Sequence, residues 1–316
     1  MRKFSCGLML GFVICFSQGV GASDGEQKAI LITGASTGIG RNMAETLAAN
    51  GYFVYAGARK QADLEALNAI DNIRGIRLDV TVQEEINAAV QLVRDGGNGL
   101  YGLVNNAGVG VVGPLIELTE DDMQFQMDVN LFGPYRVTKA FAPLIIESQG
   151  RITTTGSISG ILSSGMLGAY SMSKHAVEAF TDALASEMEK FGVEVSVIEP
   201  GNYNSAIGTS LRRRLEQRDF TAEGSFYQDE WSRILDYTGD RSRYKEPDEV
   251  SAAALHFFSD DTPKRRYMVV PNQGEAERTI KKAIEELVQL NERHEYSYDR
   301  AQLIAMLDEA MSASEQ

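Results

Sequence analysis

The sequence is poor in the residues that form disulfides and metal sites. Of its 316 residues only two are cysteines, Cys6 and Cys15, and both lie among the first 15. The rest of the chain therefore has neither a disulfide framework nor a cysteine metal site. The three histidines, His175, His256 and His294, are far apart in sequence, and we predict no metal site.

The composition excludes several classes of protein. Hydrophobic residues make up 43% and charged residues 23%, which is typical of a globular protein and not of a disordered, collagen-like or multispanning membrane protein. The 44 acidic residues against 30 Lys and Arg give a net charge of −14, so nucleic acid is not expected as the main partner.

The first 22 residues have the pattern of a secretory signal peptide. Arg2 and Lys3 precede an apolar run from Gly7 to Phe16, and small residues before Ala22 suit a cleavage site there. The run is short for a bilayer span, which needs about 20 residues. We therefore expect an exported protein, periplasmic or secreted. A retained N-terminal membrane anchor and a misassigned start codon are the alternatives.

From residue 28 onward, apolar strand patterns alternate with helical patterns. Predicted strands cover residues 28–33, 52–57, 73–79, 100–105, 151–155, 193–199 and 267–270. Predicted helices cover residues 41–50, 61–70, 82–94, 119–148 and 170–191. Strands that alternate with helices of this length indicate crossover connections. We predict an α/β fold with a doubly wound, Rossmann-like parallel sheet of seven strands and helices on both faces.

No repeat or low-complexity linker divides the chain before about residue 272. We predict one catalytic domain over residues 23–272 and a C-terminal helical extension over residues 273–316. The extension contains two helical patterns, residues 275–293 and 299–311. These helices are expected to pack on the domain, with closing the pocket or mediating dimerisation as the alternatives.

A glycine-rich turn lies where the first strand ends and the first helix begins. Glycines there let the backbone approach a pyrophosphate, and the helix N-terminus offers unpaired N–H groups. A plain tight turn is the alternative, which the strand and helix on either side disfavour. The predicted cofactor-binding residues of this turn are Gly34, Ser36, Thr37, Gly38, Ile39 and Gly40.

The end of the second strand bears on which nicotinamide cofactor binds. An acid at that position would bind the ribose 2′-hydroxyl of NAD, but here the strand is followed by Arg59 and Lys60. Arg59 can hold a 2′-phosphate, so we predict NADP rather than NAD. A solvated loop pair is the alternative. Asp79, at the end of the third strand, is a candidate for the adenine amino group, with a turn or helix cap as the alternative.

A tyrosine, a lysine and a serine carry the predicted chemistry. Tyr170 and Lys174 are spaced i and i+4, so they share one helix face. A free phenol has a pKa of about 10, and a neighbouring ammonium lowers it. We therefore expect Lys174 to lower the pKa of Tyr170, which would exchange a proton with an alcohol or carbonyl oxygen. Ser157, at the end of the fifth strand, is placed to hydrogen-bond the same oxygen. Surface pairing is the alternative.

Over about residues 28–272, these motifs resemble the short-chain dehydrogenase/reductase family in its compact single-domain form. The resemblance implies hydride transfer to or from C4 of a nicotinamide ring, with Lys174 also bound to the nicotinamide ribose. It implies that Asn130 binds a water in the proton relay. It further implies that the cofactor contacts Tyr170, Lys174, Asn106, Ala107, Gly108, Pro200, Gly201 and Ser205.

Some features bear on the branch of the family and on the pocket. Three segments resemble the retinol and 17β-hydroxysteroid dehydrogenases: Val54–Arg59, Phe191–Val193 and Ile198–Gly201. Ser205 stands where the family usually has threonine. Residues 202–246 combine charged and aromatic side chains and are predicted to form a substrate lid, with a surface helical excursion as the alternative.

Together these features predict an NADP-dependent oxidoreductase that interconverts an alcohol, secondary or primary, and a carbonyl. The expected substrate is hydrophobic, such as a steroid, retinoid or lipid, and the expected assembly is a homo-oligomer. A nucleotide-binding sensor or scaffold without redox chemistry is the alternative.

Overall fold

The computed structural model describes Met1 and residues 27–218 and 220–313. Apart from Met1, the predicted signal segment of residues 1–22 lies outside the described residues, as do both cysteines. Export and membrane anchoring therefore stay predictions. In the part of the chain that the structure describes, no helix combines the length and hydropathy needed to span a bilayer.

The predicted sheet is confirmed. Seven parallel strands follow the order β3-β2-β1-β4-β5-β6-β7. The strands are β1 (Ala29–Ile32), β2 (Phe53–Ala58), β3 (Ile73–Arg77), β4 (Gly102–Asn105), β5 (Arg151–Thr155), β6 (Glu194–Pro200) and β7 (Arg266–Val269). The strands β1, β2 and β4 are buried along almost their whole length because helices cover both faces of the sheet.

Helices pack on both faces, as predicted. The helices are α1 (Gly38–Ala49), α2 (Gln61–Asn68), α3 (Gln83–Asp95), α4 (Glu120–Met127), α5 (Gly133–Glu147), α6 (Gly168–Met188), α7 (Ile207–Gln217), α8 (Gln228–Leu235), α9 (Asp248–Ser259), α10 (Gln273–Leu290) and α11 (Arg300–Ala313). One core cluster joins α3, α5 and α6 to the sheet, and the other joins α1, α2 and α9 to its opposite face.

The strand order places a cleft at one edge of the sheet. From β1 the chain winds outward through β2 and β3, then returns to place β4 on the other side of β1. The loops after β1 and β4 therefore leave the sheet in opposite directions. In open α/β sheets, ligands bind at this switch point, outside the carboxyl ends of the strands. The glycine-rich turn and Asn106 both lie there.

The predicted helix over residues 119–148 is confirmed with a local difference. Thr119 caps its N-terminus by accepting a hydrogen bond from the Asp122 N–H at 3.2 Å. Between α4 and α5 the helix widens into a π-turn over Asp128–Phe132. Such turns are frequent at functional sites, and this one contains Asn130.

The sequence analysis missed helix α9, because it predicts neither a helix nor a strand for residues 247–266. Pro247 and two acidic residues begin this helix. Val250, Ala254 and Phe257 then recur at helical spacing and are buried against the sheet. The predicted lid, residues 202–246, contains the two helices α7 and α8.

The C-terminal extension begins with a capped helix. Asn272 accepts a hydrogen bond from the Glu275 N–H at 3.0 Å, and α10 therefore starts two residues before the predicted position. Several apolar side chains on α10 are exposed, among them Ile280, Ile284 and Leu287. The predicted homo-oligomer stays a prediction.

Candidate active site

The glycine-rich turn has the geometry of a phosphate-binding loop. Gly34 and Gly38 have φ angles of 65° and 56°, a region that favours glycine. A Cβ on Gly34 would lie 2.8 Å from the Cα of Ala107, so the two loops are in close contact. Thr37 precedes α1 without capping it through its side chain. The first N–H groups of α1 are therefore left for an anion.

Asn106 and Thr33 hold this turn in place. The Asn106 side-chain amide donates to the carbonyl oxygens of Thr33 and Gly34 at 3.0 and 3.2 Å, and its Oδ1 accepts from Thr155 Oγ1 at 3.2 Å. Thr33 Oγ1 accepts from the N–H groups of Asn106 and Ala107 at 2.9 and 3.0 Å. Asn106 therefore connects the glycine-rich turn to β5 through its side-chain hydrogen bonds.

Arg59 and Asp79 lie together at the outer end of the cleft. Arg59 is 64% exposed, and its Nη1 lies 3.6 Å from Asp79 Oδ2. Asp79 Oδ1 accepts from the N–H and hydroxyl of Thr81 at 3.0 and 2.7 Å. These hydrogen bonds and Arg59 hold the pKa of Asp79 below its usual value, although burial opposes them as the largest single effect. Asp79 therefore also caps a turn.

Ser157 and Tyr170 meet beyond the end of β5. Ser157 is buried, and its hydroxyl donates to the carbonyl oxygen of Pro200 at 3.5 Å and accepts from the Ser159 N–H at 3.1 Å. Tyr170 lies in the first turn of α6, within hydrogen-bonding reach of the Ser157 hydroxyl. The two hydroxyl groups are therefore close enough to bind one oxygen atom together.

The prediction that Lys174 lowers the pKa of Tyr170 is wrong. Burial raises the pKa of Tyr170 and outweighs the Ser157 hydroxyl and the positive charge of Arg241, which both lower it. The phenol therefore keeps its proton at neutral pH. Lys174 Nζ instead donates to the carbonyl oxygen of Thr155 at 2.7 Å and lies 5.7 Å from the centre of the Tyr170 ring.

Burial also changes the pKa of Lys174. Only 7% of the residue is exposed. Burial lowers the pKa of Lys174 to about 8, although the negative charge of Glu178 raises it. The ammonium form therefore predominates below this pKa and is lost as the pH rises through it.

Asn130 is fully engaged with the loop after β4. Its Oδ1 accepts from the Val109 N–H at 2.8 Å, and its Nδ2 donates to the Val109 carbonyl at 3.0 Å and to Ser173 Oγ at 3.1 Å. A Cβ on Gly108 would lie 3.6 Å from Asn130 Oδ1. The side chain thus ties the π-turn to this loop and to α6, at the residue before Lys174.

The turn after β6 is held by a residue that the sequence analysis missed. Glu275 is buried and accepts a hydrogen bond from the Asn202 N–H at 2.8 Å. Its carboxylate also fills the space beside Gly201, where a side chain would collide with it. The Asn272-x-x-Glu275 capping pattern could have revealed this helix start. Pro200 and Gly201 are therefore held in place by α10.

Ser205 and the predicted lid lie directly over the glycine-rich turn. A Cβ on Gly38 would lie 3.2 Å from the Cα of Ser205. A cavity of about 440 Å³ beside this contact is lined by Gly38, Ser205 and Arg241, among others. Further along, Ile207 and Leu211 of α7 pack against Gly110 in the loop after β4.

The run of three arginines in α7 proves to be mostly structural. Arg212 pairs with Glu216 at 3.1 Å and donates to the carbonyl oxygens of Leu235 and Tyr237. Arg214 contacts Asp122 at 3.2 Å. Arg213 is exposed. Arg212 and Arg214 therefore hold α7 to neighbouring segments of the protein.

Arg241 is a second residue that sequence reasoning missed. Its Nε donates to the Tyr203 carbonyl at 3.0 Å and its Nη2 to Asn202 Oδ1 at 3.2 Å, while its guanidinium lies 4.4 Å from the centre of the Tyr244 ring. Within the described residues, no carboxylate lies within 4 Å of it. No sequence motif marks this arginine.

The cleft has features that suit a dinucleotide. The unpaired N–H groups of α1 suit a pyrophosphate, and the close contact of Gly34 with Ala107 keeps the floor of the cleft free of side chains. Among the described residues, no three His, Cys, Asp or Glu side chains come together as a metal-binding group.

Comparison with known proteins agrees with this geometry. The family model for short chain dehydrogenases matches residues 28–216. The chain is 34% identical to the uncharacterized oxidoreductase YbbO of Escherichia coli, over 77% of this chain and 86% of that protein. It is 33% identical to the mitochondrial D-beta-hydroxybutyrate dehydrogenase of Bos taurus, over 76% of each chain. It is 39% identical to retinol dehydrogenase 5 of Mus musculus, over 56% of this chain and 57% of that one.

Two solved structures of the same fold contain nicotinamide cofactors. A short-chain dehydrogenase/reductase from Burkholderia phymatum in complex with NAD matches with a TM-score of 0.72 and 25% identity, over 86% of this chain and 99% of that one. A metagenomic short-chain oxidoreductase in complex with NADP matches with a TM-score of 0.60 and 25% identity, over 78% and 97%. The chain therefore belongs to the short-chain dehydrogenase/reductase family and is an oxidoreductase that acts on alcohols or carbonyls with a nicotinamide cofactor.

Proposed function

We propose that the protein is an NADP-dependent oxidoreductase that interconverts a hydrophobic alcohol, secondary or primary, and the corresponding carbonyl compound. The observation that carries the catalytic part is the grouping of the Ser157 hydroxyl, the half-buried Tyr170 side chain and the Lys174 ammonium beyond the end of β5. Proton transfer to a carbonyl oxygen needs a donor within hydrogen-bonding reach that keeps its proton until the reaction.

In the direction of reduction, Tyr170 donates its proton to the carbonyl oxygen. Its raised pKa keeps the phenol protonated at neutral pH, and the Ser157 hydroxyl holds the same oxygen in place. When bound, the reduced nicotinamide supplies the hydride that reduces the carbonyl carbon. Lys174 stabilises the negative charge left on the phenol oxygen, and Asn130 ties the loop after β4 to α6 at Ser173.

The preference for NADP rests on Arg59. The strand β2 ends without an acid, and Arg59 is exposed at the outer end of the cleft, where a ribose 2′-phosphate would lie. Asp79 Oδ2 lies 3.6 Å from the guanidinium, and most of the Arg59 side chain is still exposed to solvent. A guanidinium can bind two phosphate oxygens at once, so this site favours the phosphorylated ribose.

Replacement of Arg59 by alanine should weaken NADPH binding roughly ten- to a hundredfold, because a charged hydrogen bond contributes about 1.5–3 kcal/mol. NADH binding should change by less than about threefold, because NADH has no 2′-phosphate. Dissociation constants from nicotinamide fluorescence check this. Arg77→Ala is the matched control, since Arg77 is also exposed and pairs with Glu85 at 2.9 Å. Tighter wild-type binding of NADH than of NADPH would refute the preference.

The apolar side chains near the lid support a hydrophobic substrate. Ile207 and Leu211 of α7 face the loop after β4, and Phe220 packs on the buried Trp231 with ring centres 4.2 Å apart. The similarity to retinol dehydrogenase 5 also supports an apolar substrate. The similarity to a hydroxybutyrate dehydrogenase favours a short hydroxy acid as the second candidate. The guanidinium of Arg241 supports it, since no carboxylate of the described residues forms an ion pair with it.

A panel of substrates tests this function. Purified protein with NADPH should reduce steroid or retinoid carbonyls and other apolar ketones, with NADH and short acidic ketones run in parallel. Turnover of the acidic ketones alone would favour the second candidate, and we would then expect Arg241→Gln to raise KM for them. Absence of turnover with every member, despite tight NADPH binding, would contradict the enzymatic proposal and favour a nucleotide-binding sensor.

A further inference from the structure

Two buried glutamates lie behind the active site and have no part in the proton transfer described above. Glu178 is on α6, one turn after Lys174, and its side chain is 14% exposed. Glu199 is the residue before Pro200 on β6 and is 2% exposed. Buried carboxyl groups are costly unless they are paired or keep their proton, so their surroundings identify their state.

The side chains of Glu178 and Glu199 face each other, and each has a buried oxygen that receives no hydrogen bond. They lie within hydrogen-bonding reach of one another. The Oε1 atom of each is buried, and no N–H or O–H group of the described residues donates to it. Two ionised carboxylates can only accept hydrogen bonds, so in contact they repel. A single proton between them satisfies both oxygens and removes the repulsion.

The surrounding charges balance only if one of these groups is protonated. The positive groups that face the pair are Lys174 on α6 and Arg266 on β7. Arg266 contacts Glu178 at 3.3 Å and also Asp182 at 2.6 Å. Two cations thus face three carboxyl groups, and one shared proton makes the cluster neutral.

The contacts connect this pair to the catalytic residues. A Cβ on Gly156 would lie 3.1 Å from Glu178 Oε1, and one on Gly160 would lie 2.8 Å from it. These glycines flank Ser157, so the carboxyl group packs against the backbone of the serine loop. Burial is the main effect that raises the pKa of both glutamates, while the charge of Glu178 raises the pKa of Lys174.

We propose that Glu178 and Glu199 share one proton, held mainly by Glu199, and that the Glu178 carboxylate is a positioning residue that keeps Lys174 protonated. The inference rests on the proposed function for its catalytic meaning, because Lys174 is the residue that it serves. Glu178 acts through Lys174 and does not touch the reacting atoms. The pair, on α6 and β6, thereby adds two residues to the surroundings of the proposed active site.

Two measurements on the full-length protein test this without any substrate. Infrared difference spectra at neutral pH should show the C=O stretch of one protonated buried carboxyl group in the wild type and lose it in Glu199→Gln. NMR of protein labelled at the lysine ε-carbons, with Lys174→Arg to assign the signal, gives the titration of Lys174. Its midpoint should fall by about one unit or more in Glu178→Gln, as expected for loss of a close opposite charge.

Glu187→Gln is the matched control, because Glu187 is on the same helix and is exposed. It should leave both the infrared band and the Lys174 titration unchanged. The proposal is overturned if the band survives in Glu199→Gln, or if the Lys174 midpoint moves no further in Glu178→Gln than in the control. Since neither readout needs turnover, failure of the proposed function would leave these results separately interpretable.

Discussion

Tyr170→Phe should abolish turnover, with kcat falling by at least about 10²–10⁴-fold, the range expected for loss of a general acid. The phenylalanine ring fills the same space beside Ser157, but no proton remains at that position for the substrate oxygen. NADPH affinity should stay within a few-fold of the wild type, because the glycine-rich turn and Arg59 are untouched. Steady-state kinetics and fluorescence titration of NADPH check the two parts.

Tyr135→Phe is the matched control for this variant. Tyr135 is on α5, is 49% exposed, and its hydroxyl takes no part in the site. It should retain the full wild-type rate, and both variants should unfold within about 1 kcal/mol of the wild type, the usual contribution of one hydrogen bond. Undiminished turnover in Tyr170→Phe would refute the catalytic assignment.

Asp122→Ala should cost about 3–5 kcal/mol of the free energy of unfolding, as expected when one partner of a buried ion pair is removed. Asp122 is fully buried, pairs with Arg214 and Arg218 of the lid segment, and accepts a hydrogen bond from Thr119 at the start of α4. Its loss leaves two cations facing a cavity. Denaturant unfolding measures the stability, and proteolysis between residues 202 and 246 reports whether this segment detaches.

Asp121→Ala provides the neighbouring control. Asp121 also pairs with Arg214, but its side chain is 81% exposed, and exposed ion pairs contribute about 0–1 kcal/mol. We expect this variant to unfold like the wild type. Equal stability losses in the two variants would show that the ion pairs of Asp122 do not hold the lid segment.

The pKa of Tyr170 shows where sequence reasoning failed. Spacing alone placed Lys174 on the same helix face, and the structure confirms that placement. The expected lowering of the phenol pKa did not follow, because the direction of the shift depends on how deeply the phenol is buried and on where Nζ points. Neither quantity is encoded in the interval between the two residues.

The residues that hold the site in place could not be predicted from the sequence either. Glu275 reaches the turn after β6 from a helix that starts 72 residues after Gly201, at Gln273. Arg241 and the pair of Glu178 and Glu199 likewise come from elements whose contacts arise only when the sheet forms. Helix α9 was a different case, since its buried positions follow an ordinary helical spacing.

The sequence by itself determined the alternation of strands and helices, the glycine-rich turn, and the order of Ser157, Tyr170 and Lys174. These features depend on hydrophobic periodicity, backbone freedom and helical spacing, which act over a few neighbouring residues. Only the tertiary structure decided the protonation of Tyr170, the attachment of the lid to Asp122 and the charge balance behind Lys174. Burial and electrostatic fields are set by residues far apart in the chain, and those become neighbours only in the folded protein.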